Sequence, residues 1–129
     1  MFSKKLLERL QMVQKLQHEL VNKFGYEDYN VFIFGSFLTE RYKDGVSDID
    51  LAVYTESVSK YIDIAACILD FFKQYAIKVD HFYVDIDTIS PIYYVMLDSP
   101  AKFTNYYPAE LKEFYLKCKE AYEKAREQL

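Results

Sequence analysis

The hydrophobic pattern of the chain begins with a long predicted helix and a short predicted strand. Between positions 6 and 24 apolar residues recur every three or four positions, which is the period of an amphipathic helix, and Gly25 marks its expected end. The next run, Tyr29–Phe34, is short, aromatic and β-branched, and it predicts a strand that Gly35 and Ser36 terminate.

The remainder of the chain alternates between predicted strands and predicted helices. Strands are predicted over 48–54 and 77–84 with an edge strand over 101–107, and helices over 57–75 and 90–97 and from Pro108 onward. The pattern also allows a short helix over 37–43. The order predicts an α+β (mixed α/β) fold, in which helices pack on a small mixed β-sheet, with 1–129 as one domain.

One predicted helix, 57–75, has a stripe of apolar side chains that defines its expected buried face. The stripe comprises Ile62, Ala65 or Ala66, Leu69 and Phe72. We therefore expect these side chains to contact the sheet.

Composition and charge narrow the function classes. The chain has 129 residues, 51% of them hydrophobic, and a net charge of −4, which disfavours a general nucleic-acid binder because phosphate neutralisation needs clustered Lys and Arg. No apolar run approaches the roughly 20 residues of a membrane helix, and no secretory signal is evident. Cys67 and Cys118 lack metal-ligand spacing, so we expect reduced thiols and a cytoplasmic location.

The first candidate chemistry lies in Asp48-Ile49-Asp50. Side chains alternate along a strand, so both carboxylates point to one face and Ile49 points to the other. Two adjacent carboxylates repel, and hard Mg²⁺ prefers such oxygen ligands together with substrate phosphates. The alternative is two solvent-facing acids at a strand edge, since Asp-x-Asp recurs at Asp85 and Asp87.

The second candidate is the pair Gly35-Ser36 at the end of the first predicted strand. Glycine has no Cβ, so the backbone can approach a ligand closely, and exposed N–H groups at a helix start favour anions. Ser36 can cap that helix and offer a hydroxyl to a phosphate. The alternative is an ordinary Gly-Ser cap without a ligand.

Together the two motifs are more specific than either alone. Their arrangement is similar to the signature of the DNA polymerase β-like nucleotidyltransferase superfamily. In this chain the arrangement is Gly35-Ser36, a spacer of eleven residues and then Asp48-Ile49-Asp50. The small size of the chain resembles the minimal nucleotidyltransferase (MNT) group, whose members are partners of HEPN-domain proteins in toxin–antitoxin pairs. The resemblance is strong from Tyr29 to about Asp85, and elsewhere it lies in the layout of helices.

The resemblance implies a set of site residues. By this resemblance, Asp48 and Asp50 are catalytic residues that bind two Mg²⁺ ions. The family's third carboxylate lies on a later strand, and Asp80 is the residue that corresponds to it. Asp85 competes for that role, but it lies at the far end of the strand and on the opposite face.

The resemblance also implies a nucleotide site. Gly35 and Ser36 hold the phosphates of ATP, the implied substrate. The loop lacks the Arg and Gly run of many relatives, so Arg41 or Lys43 is the candidate for the missing positive charge on the triphosphate.

The implied function is transfer of AMP to a hydroxyl of a HEPN-type toxin, with this protein as antitoxin. Two alternatives stay open: a non-catalytic module that masks its partner, and an enzyme that modifies a small molecule such as an aminoglycoside. The second would need a homo-oligomer to complete its cleft. The tyrosines at 93–94 and 106–107 fit either a partner interface or the edge of the core.

Overall fold

The amphipathic first helix forms as α1 (Lys4–Phe24) in a computed structural model of the chain, which describes residues 3–99 and 101–128. The Ser3 hydroxyl caps the helix by accepting a hydrogen bond from the Leu6 N–H at 3.1 Å. Gly25, at φ +78°, ends it and donates its N–H to the Val21 carbonyl. The start, the stop and the apolar stripe of this helix are thus encoded locally.

Three strands form one mixed sheet in the order β1 (Tyr29–Phe34), β2 (Ile49–Thr55) and β3 (Val79–Tyr83). β1 and β2 are antiparallel, whereas β2 and β3 are parallel and are joined by helix α2 (Val58–Lys73). Each strand lies where the sequence predicts one, within two residues.

Helices cover both faces of the sheet. α1 and α2 pack against one face, while α3 (Pro91–Leu97) and α4 (Ala109–Glu127) pack against the other. In β2 the alternation is complete: Leu51 and Val53 belong to the first core, and Ala52 and Tyr54 belong to the second. With four helices and three strands in the described residues, the predicted α+β class is confirmed.

The predicted helix over 37–43 is wrong. Residues 35–41 form turns and a bend, with the Ser36 carbonyl accepting the Thr39 N–H at 2.9 Å. The carbonyls of Phe37 and Thr39, which a helix would use internally, instead accept hydrogen bonds from the side chain of Arg9. A tertiary contact therefore replaces the local helical preference.

The predicted buried face of α2 is wrong in part. Ile62 and Leu69 are 59% and 44% exposed, whereas Ile64 and Ile68 are fully buried beside Phe72. The exposed side of the helix carries apolar residues among its charged ones, so periodicity alone does not select the face that contacts β2.

The predicted edge strand over 101–107 is also wrong. This segment makes an isolated bridge from Lys102 to Phe32 and then runs irregularly along β1. Its backbone is held by the buried Asn30 side chain, whose Nδ2 donates to the Thr104 and Tyr106 carbonyls and whose Oδ1 accepts from the Thr104 N–H. A side chain thus supplies the hydrogen bonds that a paired strand would have made.

Replacing Asn30 with alanine is expected to destabilise the fold by about 3 kcal/mol, because buried backbone groups of the 103–106 segment lose their partners. Chemical denaturation would measure the loss. The exposed Asn105 is the matched control, and its alanine variant should change stability by less than about 0.5 kcal/mol. Equal stability of the two variants would contradict a structural role for Asn30.

Candidate active site

The parallel pairing of β2 and β3 brings two carboxylates together. Asp50 and Asp80 are register partners on adjacent strands, so their side chains project side by side from the face that α3 and α4 cover. Asp48 immediately precedes β2. Phe34 on β1 is the register partner of Asp50 on the opposite edge of β2. The Phe34 ring packs on the Phe82 ring, with 5.8 Å between their centroids, so the acids lie next to these two aromatic rings.

Negative charge is concentrated at Asp50. Burial, followed by the charges of Asp80 and Asp48 and a hydrogen bond with Asp80, raises the pKa of the Asp50 carboxyl above its ordinary value. Asp48 and Asp50 are half-buried, whereas Asp80 is exposed. The pair formed by Asp50 and Asp80 is therefore open to solvent on the side of β3. A cation or a proton at this point would relieve the repulsion.

The turn after β1 lies directly against Asp50. Gly35 has φ +75°, a conformation that disfavours side chains, and a Cβ added there would overlap Oδ2 of Asp50. The glycine therefore permits both the turn and the close approach of its backbone to the carboxylate. Ser36 follows in the same turn, and its carbonyl accepts both the N–H and the hydroxyl of Thr39.

Arg9 of α1 holds the next part of this loop, a role that is not among the predicted ones. Its Nε donates to the Phe37 carbonyl at 2.7 Å, and its Nη2 donates to the Thr39 carbonyl at 2.8 Å. The sequence contains a signal for this role. Arg9 lies three positions after Leu6, on the buried stripe of α1, where a charged residue needs a specific partner.

Comparison with known proteins identifies the family of the chain. Residues 13–122 match the family model of the nucleotidyltransferase domain. The chain belongs to this nucleotidyltransferase family. The match confirms the predicted polymerase β-like superfamily and supports a transferase that takes a nucleoside triphosphate as substrate. A search of curated proteins found no match to the chain.

The acidic residues of this nucleotidyltransferase fit a divalent cation by donor type and charge. Carboxylate oxygens are the ligands that Mg²⁺ prefers, and the register between β2 and β3 places the Asp50 and Asp80 carboxylates on neighbouring strands. Within 3–99 and 101–128, however, no group of three or more His, Cys, Asp or Glu has the geometry of a ready-made metal site. Asp48, Asp50 and Asp80 are the residues that would hold such an ion.

Two of the predicted candidates make no contact with the acidic pair among the hydrogen bonds and ion pairs of the described residues. Arg41 is exposed, and no ion pair joins it to an acid in the part of the chain that the structure describes. Asp85 lies beyond β3, where its carboxylate accepts hydrogen bonds from the Thr88 hydroxyl and the Asp87 N–H within a turn. Of the two candidates for third carboxylate, Asp80 is the one beside Asp50.

The paired tyrosines pack on the protein's own second core. The Tyr93 ring lies against Phe114 at 5.3 Å, and the Tyr106 ring stacks on Tyr54 at 6.2 Å. Of the two interpretations of these tyrosines, the structure favours the edge of the core. In the described part of the chain, none of the helices combines the length and the apolar character needed to cross a bilayer.

Proposed function

We propose that this nucleotidyltransferase is Mg²⁺-dependent and transfers a nucleoside monophosphate, AMP from ATP, to a hydroxyl group. The observation that carries the proposal is the position of Asp50, beside Asp80 on the next strand and in contact range of the Gly35 turn. A phosphate-holding turn and paired carboxylates at one sheet end suit phosphoryl chemistry, where positioning and charge neutralisation supply most of the rate.

Each part of the site has a role in this reaction. The Gly35-Ser36 turn would hold the phosphates of the nucleotide, because Gly35 has no Cβ and its positive φ leaves the backbone open to close approach. Asp48, Asp50 and Asp80 would hold Mg²⁺, which supplies neutralisation of the phosphate charge. The acceptor oxygen bonds to the α-phosphorus, the bond to the bridging oxygen breaks, and pyrophosphate leaves. Asp80, the exposed member of the acidic group, takes the proton of the acceptor.

The proposed acceptor is a hydroxyl on a HEPN-type protein, with this chain as its antitoxin. The resemblance to the MNT group supports this choice, and the net charge of −4 disfavours a long nucleic-acid acceptor. Apolar side chains are exposed on the acidic side of the molecule: Phe82 on β3 is 40% exposed, and Ile92 and Val95 on α3 are 60% and 48% exposed. We propose that these side chains belong to the surface that contacts the partner.

The proposal predicts a covalent change in the partner. After incubation with ATP, Mg²⁺ and the product of the neighbouring gene, intact mass spectrometry should show that the partner has gained the mass of AMP. Asp50→Asn should abolish the gain. Asp85→Asn is the matched control and should retain it, because Asp85 lies in a separate turn.

Two other results would redirect the assignment. A tight complex without a mass change, under conditions where ATP is bound, would indicate a module that only masks its partner. AMP transfer to an aminoglycoside, with the partner unmodified, would indicate a small-molecule enzyme.

A further inference from the structure

Arg9 is a buried cation without a direct ion pair in the described part of the chain, and its charge reaches Glu40 only from beyond ion-pair distance. It is 5% exposed, and no carboxylate forms an ion pair with it among residues 3–99 and 101–128. The neighbouring Glu40 is exposed and accepts the Ser3 N–H instead. Burying an arginine without a counter-ion is costly, so its presence needs an explanation beyond packing.

The guanidinium group is fixed on three sides. Two of its N–H groups bind the Phe37 and Thr39 carbonyls, and its carbon lies 4.8 Å from the centre of the Tyr42 ring. The Phe37 and Tyr42 rings themselves meet edge to face at 5.0 Å. The planar group thus joins both ends of the loop that follows Gly35-Ser36.

These contacts act on the segment next to the acidic pair. Thr39, whose carbonyl Arg9 binds, also donates its N–H and hydroxyl to the Ser36 carbonyl. A chain of hydrogen bonds therefore runs from α1 through Thr39 to the turn that lies against Asp50. The loop is not helical, so the Arg9 contacts add to the few backbone hydrogen bonds of its turns, among them the one from the Thr39 N–H to the Ser36 carbonyl.

We propose that Arg9 is a positioning residue for the donor: it holds the Gly35-Ser36 turn in the conformation that binds the triphosphate. The inference rests on the proposed function, since it concerns the same nucleotide. Arg9 acts through the loop carbonyls, and the two-point geometry of its guanidinium is the property that matters. Lysine keeps the charge but loses the planar fork.

The test is calorimetric titration with ATP at fixed Mg²⁺, below the melting temperature of every variant. Arg9→Lys is expected to bind ATP about tenfold more weakly than the wild type, and Arg9→Gln at least as weakly. The control is Lys5→Gln on the same helix, because Lys5 forms only an exposed ion pair with Asp44. The control should bind as the wild type does. A purely structural role would lower melting temperature but leave the affinity of the folded protein unchanged.

The outcomes separate this inference from the proposed function. If the wild type binds ATP and folded Arg9→Lys binds it equally well, the positioning role is wrong. If the wild type binds no nucleoside triphosphate, the proposed function itself fails. If Arg9→Lys does not fold, the Tyr42→Leu variant tests the positioning role instead. It removes the aromatic ring beside the guanidinium and should weaken ATP binding about threefold. Unchanged ATP affinity in that variant would also overturn the role.

Discussion

Replacing Asp50 with asparagine is expected to lower nucleotide transfer by about 10³-fold or more while making the metal-free protein more stable at neutral pH. The loss follows because Asp50 is the acid that contacts both the Asp80 carboxylate and the Gly35 turn. The gain follows because asparagine fills the same space without the repulsion. Transfer assays and thermal melting in a chelating buffer would measure the two effects, with Asp85→Asn as the control for activity.

The stability effect has a definite pH dependence. The pKa of Asp50 is raised above the ordinary 3.8 in the folded state, mainly by burial and then by Asp80 and Asp48. Between these pKa values the folded state binds more protons than the unfolded state, so stability falls as pH rises through that interval. The advantage of Asp50→Asn should therefore be absent at about pH 3, grow as Asp50 ionises, and then level off. A variant that is less stable than the wild type at neutral pH would contradict this account.

Replacing Gly35 with alanine is the second large expected effect. The alanine would have to adopt a positive φ, which side chains disfavour. Its Cβ would also overlap Oδ2 of Asp50 and displace that carboxylate. Displacing a carboxylate in such a site by about an ångström can cost about 10²-fold in rate, so we expect at least that loss of transfer. Transfer assays and chemical denaturation would follow the loss of activity and of stability.

The chain provides a matched control in Gly45. It has the same φ of +75°, but a Cβ added there meets nothing within 4 Å. Gly45→Ala should therefore show the backbone cost alone, about 1 kcal/mol, with transfer retained. If both variants lose the same stability and the same activity, the contact between Gly35 and Asp50 is not important.

Much of the fold could be predicted because its signals are local. Gly25 marks the end of α1, and β1 is a six-residue run of aromatic and β-branched residues bounded by turns. The shared face of Asp48 and Asp50 follows from strand alternation. Such features depend on neighbouring residues, which the sequence shows directly.

The features that escaped prediction depend on long-range contacts. Arg9 binds carbonyls 28 and 30 positions away, and these contacts replace the expected helix over 37–43. Asn30 takes the place of a strand partner for a segment more than 70 positions later. The sequence predicts Asp80 ahead of Asp85, but the position of Asp80 directly beside Asp50 depends on the register between β2 and β3, which the sequence order alone does not set.

The most direct test of the account is titration of the wild type and Asp50→Asn with ATP, each with and without Mg²⁺. The central claim is that Asp48, Asp50 and Asp80, beside the Gly35-Ser36 turn, form a metal-dependent nucleotide site. The account predicts that the wild type binds ATP tightly only with Mg²⁺ and that the folded variant loses this dependence. Equal binding of Mg²⁺ and ATP by both proteins would contradict it.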